Sequence, residues 1–351
     1  MINTISILRG LGLLIGVVMM GLNFAYHRGP RWSRSVFGLV SLVSAALIVV
    51  SLAPRSVDAL RDSLSLQGVA AGRLVALAIV TSFASILLAL YTKSRADFLQ
   101  RSIDRIVGAE TAERALLSQD LPARAERIMV LIAALNEAAN LELLLPRMPA
   151  EIGGRKLSVL VIDDGSSDGT SEVAIRHGCF VARNSINRGQ GAAFRVGYTI
   201  ARRCNADIVV TMDADNQHRP EDLATMIGPI LDDRADFVIG SRALGSADAS
   251  SRIRSIGVVT LSRLISLLAG QRITDCSSGF RAFRCDRMAR LDLRADQFQT
   301  SEVILEAAKK GLRITEVPIH ISLRTHGESR KGPNATYGFF FVKTMIKTWW
   351  R

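Results

Sequence analysis

The 351-residue sequence is poor in cysteine and in aromatic residues. Its four cysteines, Cys179, Cys204, Cys276 and Cys285, form no close pair and no zinc-binding spacing with histidine, which predicts reduced structural thiols. Aromatic residues make up 6% of the chain, and it contains neither a zinc-finger motif nor an aromatic RNA-binding motif. The sequence therefore argues against a disulfide framework and against nucleic-acid binding.

Charge and hydrophobicity are distributed unevenly along the chain. There are 44 basic and 32 acidic residues, a formal net charge of +12, and 48% of the residues are hydrophobic. A basic balance of this kind suits an anionic membrane surface or a phosphorylated substrate. Because the apolar residues concentrate before residue 95 and the acidic motifs come later, we expect two unlike parts.

The N-terminal third contains three apolar runs, roughly residues 2–26, 36–53 and 74–91. A helix of about 18 residues is about 27 Å long, close to the hydrocarbon thickness of a bilayer. We therefore predict an all-α transmembrane unit of three helices over residues 1–95. Basic residues in the first loop and after the third run predict an integral inner-membrane protein with its N-terminus outside and the rest in the cytoplasm. Homo-oligomerisation through these helices is a further hypothesis.

Two further segments suggest contact with a membrane surface. Residues 96–126 alternate charged and apolar residues at helical spacing, which predicts an amphipathic linker helix or, equally, a solvated one. Residues 326–351 comprise a polar loop and an apolar end with Lys343, Lys347, Trp349 and Trp350. This composition predicts an interfacial C-terminal helix, or a helix packed on the membrane unit.

Residues 127–325 have the pattern of a doubly wound α/β sheet, with β-rich runs followed by helical stretches. The runs are IMVLIAAL, LSVLVID, ADIVVTMD and DFVIG. Ligands bind beyond the carboxyl ends of the strands in such sheets. Three runs end in polar clusters, Asn136-Glu137, Asp163-Asp164 and Asp213-Ala214-Asp215, so we expect a site at this edge.

The segment MDADNQH indicates a metal site. Asp213 and Asp215 follow a predicted buried strand, and Gln217 adds a neutral oxygen two residues later. Mg²⁺ and Mn²⁺ prefer such oxygen ligands and take others from substrate phosphates. A calcium-like loop or a plain acidic turn is the alternative, but the glycine and distal glutamate of an EF-hand loop are absent here.

Two glycine-containing segments could serve a nucleotide. In VIDDGSSDGT, Asp163 or Asp164 could accept hydrogen bonds from a nucleobase or ribose; a capped helix start would explain Asp168 but not the acidic pair. In NRGQGAAFRVG, Gly189 and Gly191 lack the third glycine of a dinucleotide fingerprint. They indicate a tight turn before a helix, or backbone amides near a pyrophosphate.

The motifs, taken as an ordered set, resemble those of family-2 glycosyltransferases with the GT-A fold. They are ALNEAANL, VIDDGSSDGT, NRGQGAAF, MDADNQH, GSR, TDCSSGFRAF, EVPI and RTHGESR. The likeness runs from about residue 127 to 330 and is greatest to the dolichyl/polyprenyl-phosphate sugar synthases. It implies transfer of a monosaccharide from a UDP- or GDP-sugar to polyprenyl phosphate at the cytoplasmic membrane face, with Mg²⁺ or Mn²⁺.

The resemblance also implies a role for each matched residue. For the nucleoside these are Glu137, Asp163 and Asp164, and for the metal Asp213, Asp215 and Gln217. Three arginines would line the phosphates of donor and acceptor: Arg242, Arg254 and Arg324. The acceptor side would include Ser278, Gly279 and Glu302, and the segment that closes over the donor would include Ser329 and Arg330.

The sequence departs from the family pattern at three places. Ala133-Ala134 stands where proline often precedes Asn-Glu, Val258 where serine is common, and Arg330 where lysine is usual. The last change keeps the charge but alters the hydrogen-bond geometry. The departures concern phosphate contacts and leave the implied reaction class unchanged.

The implied chemistry is a single in-line displacement with inversion. A phosphate acceptor needs no general base, because its second pKa is about 6. A hydroxyl acceptor, in a glycolipid or glycan, would need one, with Asp275 or Glu302 as the candidate. A non-catalytic sugar-nucleotide-binding scaffold is the remaining alternative.

Overall fold

The computed structural model describes residues 4–27, 34–53, 55, 58, 61–62, 72–119, 127–248, 252–296, 299–327 and 334–350. The chain divides into two compact units, Met1–Phe98 and Leu99–Arg351.

The first unit contains α1 (Thr4–His27), α2 (Arg34–Leu52) and the start of α3 (Gly72–Ser118). Helices α1 and α2 pack closely: Asn23 Nδ2 donates to Phe37 O at 3.0 Å and to Ser41 Oγ at 2.9 Å. A Cβ on Gly16 would lie 2.8 Å from Ile48 Cγ1, so a small residue is needed at this contact.

The predicted unit of three membrane-spanning helices is not supported. Within the ranges given above, no helix combines the length and the apolar character that a membrane crossing requires. The third apolar run and most of the predicted linker form one continuous helix, α3, rather than two elements. Residues 120–126 of that linker lie outside the described residues.

The second unit has the predicted α/β architecture. The four predicted strands are β1 (Arg127–Ala134), β3 (Arg155–Asp163), β5 (Ile208–Asp213) and β6 (Phe237–Ala247). The other strands are β2 (Glu151–Ile152), β4 (Phe180–Arg183), β7 (Arg281–Arg284) and β8 (Ile314–Ile321). The helices are α4 (Ala138–Leu144), α5 (Thr170–Arg176), α6 (Gln190–Arg203), α7 (Leu223–Leu231), α8 (Arg252–Ala269), α9 (Cys285–Met288), α10 (Gln299–Lys309) and α11 (Asn334–Trp350).

The strands form one mixed sheet in the order β2-β3-β1-β5-β7-β6-β8, with β4 also paired to β3. Strands β4, β3, β1 and β5 are parallel, whereas β7 is antiparallel to both β5 and β6. The α/β fold is confirmed, and the inserted antiparallel strand makes it a mixed sheet rather than a fully parallel one. Strand β7 brings the segment before it next to the end of β5.

Apolar side chains cover both faces of the sheet. On one face Phe194 of α6 packs in the same cluster as Phe237 and Phe283, whose rings stack with centroids 4.3 Å apart. On the other face Leu141 of α4 and Phe280 belong to a second cluster. Burial on both faces explains why the central strands are near-continuous apolar runs.

The C-terminal helix α11 packs through one face on other elements of the second unit. Phe341 and Met345 are buried in the same cluster as α10 residues, and Lys309 Nζ donates to Thr348 O at 2.6 Å. The opposite face exposes large apolar side chains, among them Phe339, Ile346 and Trp350. An interfacial position for this helix stays a prediction.

Candidate active site

The strand register brings the acidic clusters together at one edge of the sheet. Ala134 at the end of β1 pairs with Asp163 of β3, and Ala133 pairs with Asp213 of β5. Since β1 lies between β3 and β5, the loop that carries Glu137 emerges between the two aspartates.

Asp163 is fully buried and organises the loop that follows it. It accepts a hydrogen bond from the backbone N–H of Ser166 at 2.7 Å and another from the Ser171 hydroxyl. Its Oδ2 lies 3.6 Å from Arg183 Nε. These contacts hold the first turn of α5 against the strand end; the nucleoside contact of Asp163 stays a prediction.

Asp164 binds the glycine-containing turn. It accepts from Asn184 Nδ2 at 2.8 Å and from the backbone N–H groups of Arg188 at 3.1 Å and Gly189 at 2.7 Å. Burial raises the pKa of Asp164, and these donors act in the opposite direction. The carboxylate therefore fixes the turn relative to β3.

The two glycines of this turn are needed for close packing. Gly189 has a φ of 89°, and Gly191 donates its N–H to Asp296 O at 2.9 Å. A Cβ on Gly191 would lie only 2.1 Å from Ala295 O, the atom to which Arg195 Nη1 donates at 2.9 Å. The motif is thus a tight turn before α6, pressed against Ala295 and Asp296.

The Asp213 carboxylate lies in a narrow space at the end of β5. Its Oδ1 accepts from Gln190 Nε2 at 2.6 Å, and its backbone N–H donates to His218 Nδ1 at 3.1 Å. A Cβ on Gly279 would lie 2.8 Å from Asp213 Oδ2, so only glycine leaves room for the carboxylate there.

The pair Asp213 and Asp215 fits a divalent cation. Burial, and then the charge of Asp213, raise the pKa of Asp215, as expected for two neighbouring carboxylates that repel each other. No cluster of three or more potential ligands among His, Cys, Asp and Glu occurs within the described part of the chain. Two carboxylates suit Mg²⁺ or Mn²⁺, which take further oxygens from phosphates and water. Gln217 donates from Nε2 to Ser322 O at 3.1 Å, and its amide oxygen is the atom that could add to this set.

Arg324 lies between the acidic residues of two loops. Its Nη2 donates to Glu137 Oε1 at 2.5 Å, and its Nη1 lies 3.7 Å from Asp215 Oδ2. Asn140 donates to Glu137 Oε2 at 2.6 Å and accepts from the His326 N–H at 3.1 Å. The loop after β8 is therefore joined to the loop after β1.

Arg242 is paired with a buried carboxylate. Its Nε and Nη2 donate to the two oxygens of Asp275 at 2.7 and 3.0 Å, and Nη2 also donates to Ser277 Oγ. Burial by itself would raise the pKa of Asp275, but the bonds from Arg242 bring it below its usual range. Glu316 accepts from the backbone N–H groups of Thr274 and Asp275, which fixes this segment.

The other predicted acceptor-side residues have mainly internal contacts. Ser278 is buried and accepts through its carbonyl from Arg281 Nε at 2.9 Å, while Gly279 O accepts from Thr211 Oγ1 at 2.8 Å. Glu302 is 1% exposed and accepts from the backbone N–H groups of Arg294 and Ala295 at 3.0 and 2.8 Å. Substrate contacts for these residues stay predictions.

The side chains of three predicted site residues lie outside the part of the chain that the structure describes. Arg254 lies in α8, but its side chain is outside the described residues, and Ser329 and Arg330 lie outside them altogether. Sequence reasoning missed two site neighbours, Gln190 and Asn140. Gln190 lies within the motif NRGQGAAF, but only the glycines of that motif predict a local conformation, a tight turn.

A mixed sheet of this order, with carboxylates at the ends of its parallel strands, is an α/β fold of the GT-A type. The glycosyl transferase family 2 model matches residues 129–291. A Methanococcus voltae protein named UDP-N-acetylglucosamine–dolichyl-phosphate N-acetylglucosaminyltransferase is 32% identical over 54% of this chain and 85% of its own length. The chain belongs to glycosyl transferase family 2, and it is a glycosyltransferase.

A second relative agrees with this assignment, and a solved structure agrees with the fold. A Micrococcus luteus undecaprenyl-phosphate mannosyltransferase is 31% identical over 58% of this chain and 87% of its own length. Glucosyl-3-phosphoglycerate synthase from Mycobacterium tuberculosis, solved with Mn²⁺, UDP and its product, has the same fold. Its TM-score is 0.51 at 21% identity, covering 64% of this chain and 80% of that one. The resemblance to polyprenyl-phosphate sugar synthases is confirmed.

Proposed function

We propose that this glycosyltransferase moves a monosaccharide from a nucleotide sugar to a polyprenyl phosphate, with inversion and with a divalent ion. The names of the two relatives support the acceptor class. The observation that carries the proposal is the acidic pair Asp213 and Asp215 with the cations Arg324 and Arg242 at the same edge of the sheet.

The residues of the chain act by holding charges in place. A divalent ion, when bound at Asp213 and Asp215, supplies Lewis-acid stabilisation of the diphosphate leaving group. In the complex, Arg324 would turn from the carboxylates toward the donor diphosphate. Its planar guanidinium can donate two parallel hydrogen bonds to the phosphate oxygens. Arg242 is oriented by Asp275 and is 26% exposed at its side chain, which leaves it able to meet a second phosphate.

A phosphate acceptor agrees better with the site than a hydroxyl acceptor. A hydroxyl would need a general base, and the two candidates are Asp275 and Glu302. Both oxygens of Asp275 accept from Arg242, and its pKa is held below the usual range. Glu302 is buried and accepts from backbone N–H groups. An ionised phosphate acceptor, with a second pKa of about 6, requires neither.

We also propose that the enzyme works at the cytoplasmic face of the cell membrane, where its lipid acceptor resides. Helix α11 exposes Phe339, Ile346 and Trp350 beside Lys343 and Lys347. Aromatic and basic side chains of this kind favour the headgroup level of an anionic bilayer.

The test uses the purified full chain, polyprenyl phosphate, Mg²⁺ or Mn²⁺ and a panel of UDP- and GDP-sugars. We expect labelled glycolipid with one donor, lost with EDTA and in Asp215→Asn. Arg234→Gln, which alters an exposed ion pair with Asp232, is the matched control and should remain active. The anomeric configuration of the product should be opposite to that of the donor.

The failures of this assay separate the alternatives. Nucleotide release without glycolipid would reject polyprenyl phosphate and favour a hydroxyl acceptor. Binding of a donor without release of nucleotide would reject catalysis and favour the sugar-nucleotide-binding scaffold.

A further inference from the structure

The side chain of Gln190 contacts the carboxylate proposed to hold the metal. Its Nε2 lies 2.6 Å from Asp213 Oδ1. A carboxylate can only accept hydrogen bonds, so the amide nitrogen, not its oxygen, must face Asp213. The bond uses one lone pair of Oδ1, which leaves the other lone pairs of the carboxylate for a cation.

The backbone on either side of Gln190 is held in place. Before it, the Gly189 N–H donates to Asp164 Oδ2 at 2.7 Å. After it, the Gly191 N–H donates to Asp296 O at 2.9 Å, and its α-carbon is pressed against Ala295. Gln190 is also the first residue of α6, so its direction is set by a helix start. Its side chain therefore leaves from a fixed point toward Asp213.

The Asp213 carboxylate is confined from another side by the α-carbon of Gly279, where a Cβ would lie 2.8 Å from Oδ2 and 2.9 Å from Oδ1. With Gly279 limiting its position and Gln190 donating to Oδ1, the carboxylate has little rotational freedom. A preoriented carboxylate loses less conformational entropy when it binds an ion.

We propose that Gln190 is a positioning residue that orients Asp213 for the divalent ion. The inference rests on the proposed metal-dependent function. Hydrogen-bond partners of metal ligands commonly change metal affinity about 10- to 100-fold when they are replaced. If Gln190 served only the first turn of α6, its replacement would lower stability and leave metal affinity unchanged.

The experiment measures Mn²⁺ affinity directly, by the electron paramagnetic resonance signal of free Mn²⁺, with UDP or GDP present. Gln190→Met keeps the length of the side chain and removes the donor. Gln100→Met, on the exposed surface of α3, is the matched control. We expect the Mn²⁺ dissociation constant of Gln190→Met to rise about 10-fold, with little change in the control. Turnover at saturating Mn²⁺ should fall much less than the apparent metal affinity.

The outcomes of this experiment distinguish a positioning role of Gln190 from a purely structural role. Equal Mn²⁺ affinity in Gln190→Met and wild type would overturn the role of Gln190, whatever the melting temperature does. If wild type binds no Mn²⁺ with either nucleotide, the proposed metal-dependent function itself fails. Should Gln190→Met not fold, Gln190→Ala also removes the amide and retains a strong helix former. A rise in its dissociation constant would support the inference, and no rise would overturn it.

Discussion

Arg324 Nη2 donates to Glu137 Oε1 at 2.5 Å, and Nη1 of the same guanidinium lies 3.7 Å from Asp215 Oδ2. One cation thus neutralises part of the negative charge of two loops that begin at different strand ends. The neighbouring bond from Asn216 Nδ2 to Thr325 Oγ1, at 3.1 Å, also joins the loop after β8 to the loop after β5. The loop after β8 therefore forms one wall of the site.

Replacing Arg324 by glutamine should lower kcat/KM for the nucleotide sugar by about 10- to 100-fold, because the charge-assisted contact that we propose between its guanidinium and the donor diphosphate is lost. Steady-state kinetics with varied donor measure the effect. Arg234→Gln is the control, since its ion pair is exposed. Wild-type kinetics in Arg324→Gln would show that the guanidinium acts only on the free enzyme.

The Asp275–Arg242 pair should make the free energy of unfolding depend on pH. The pKa of Asp275 is lowered in the folded state, so its contribution is present above the unfolded value of about 3.9 and is lost as pH falls through the folded value. The urea midpoints of wild type and Asp275→Asn should therefore differ most near pH 6 and converge toward pH 3. A difference that stays constant over this range would contradict the prediction.

Glu302→Ala should destabilise the protein by about 2 kcal/mol, because two partly buried backbone N–H groups lose a charged acceptor. Thermal unfolding measures this change, and Glu302→Gln should retain part of the stability. If Glu302 mainly supports residues 294–295, activity well below the melting temperature should fall only slightly. A large loss of activity with an unchanged melting temperature would instead favour direct contact with substrate.

The C-terminal tryptophans should lie at the lipid headgroups when the protein is in nanodiscs. Trp32→Phe leaves Trp349 and Trp350, which are 48% and 82% exposed. Their fluorescence should be quenched by lipids brominated near the headgroup and poorly by acrylamide. Strong acrylamide quenching without lipid quenching would place this helix in water. The double variant Trp349→Phe/Trp350→Phe serves as the reference for Trp32.

The central strands could be predicted from the sequence because both faces of the sheet are buried. A short, continuous apolar run such as IMVLIAAL is typical of a strand that is buried on both faces, and β1 lies where this run predicts it. Strand β7 was not predicted, since its four residues, RAFR, give too short a pattern and its arginines are satisfied by tertiary contacts.

Parts of the site depend on contacts that no local pattern reveals. Asp213 and Asp215 are conspicuous because two acids follow an apolar run. The partners of Glu302 and Gln190 come from distant turns, so their contacts appear only when the chain is folded. The membrane unit is predicted from hydropathy alone. Hydropathy does not reveal that the third apolar run and most of the linker form one continuous helix, α3.

The insertion of β7 between β5 and β6 has a consequence for biosynthesis. Thr211 and Gly279 are 68 residues apart in sequence, yet they are hydrogen-bonded beside Asp213. The parallel strands β1, β3 and β5 can pair while the later chain is still on the ribosome. The segment around Gly279, which lies beside Asp213, can take its place only after β7 has been synthesised. A ribosome that stalls before residue 279 would therefore release a sheet with an open edge, which is prone to aggregation.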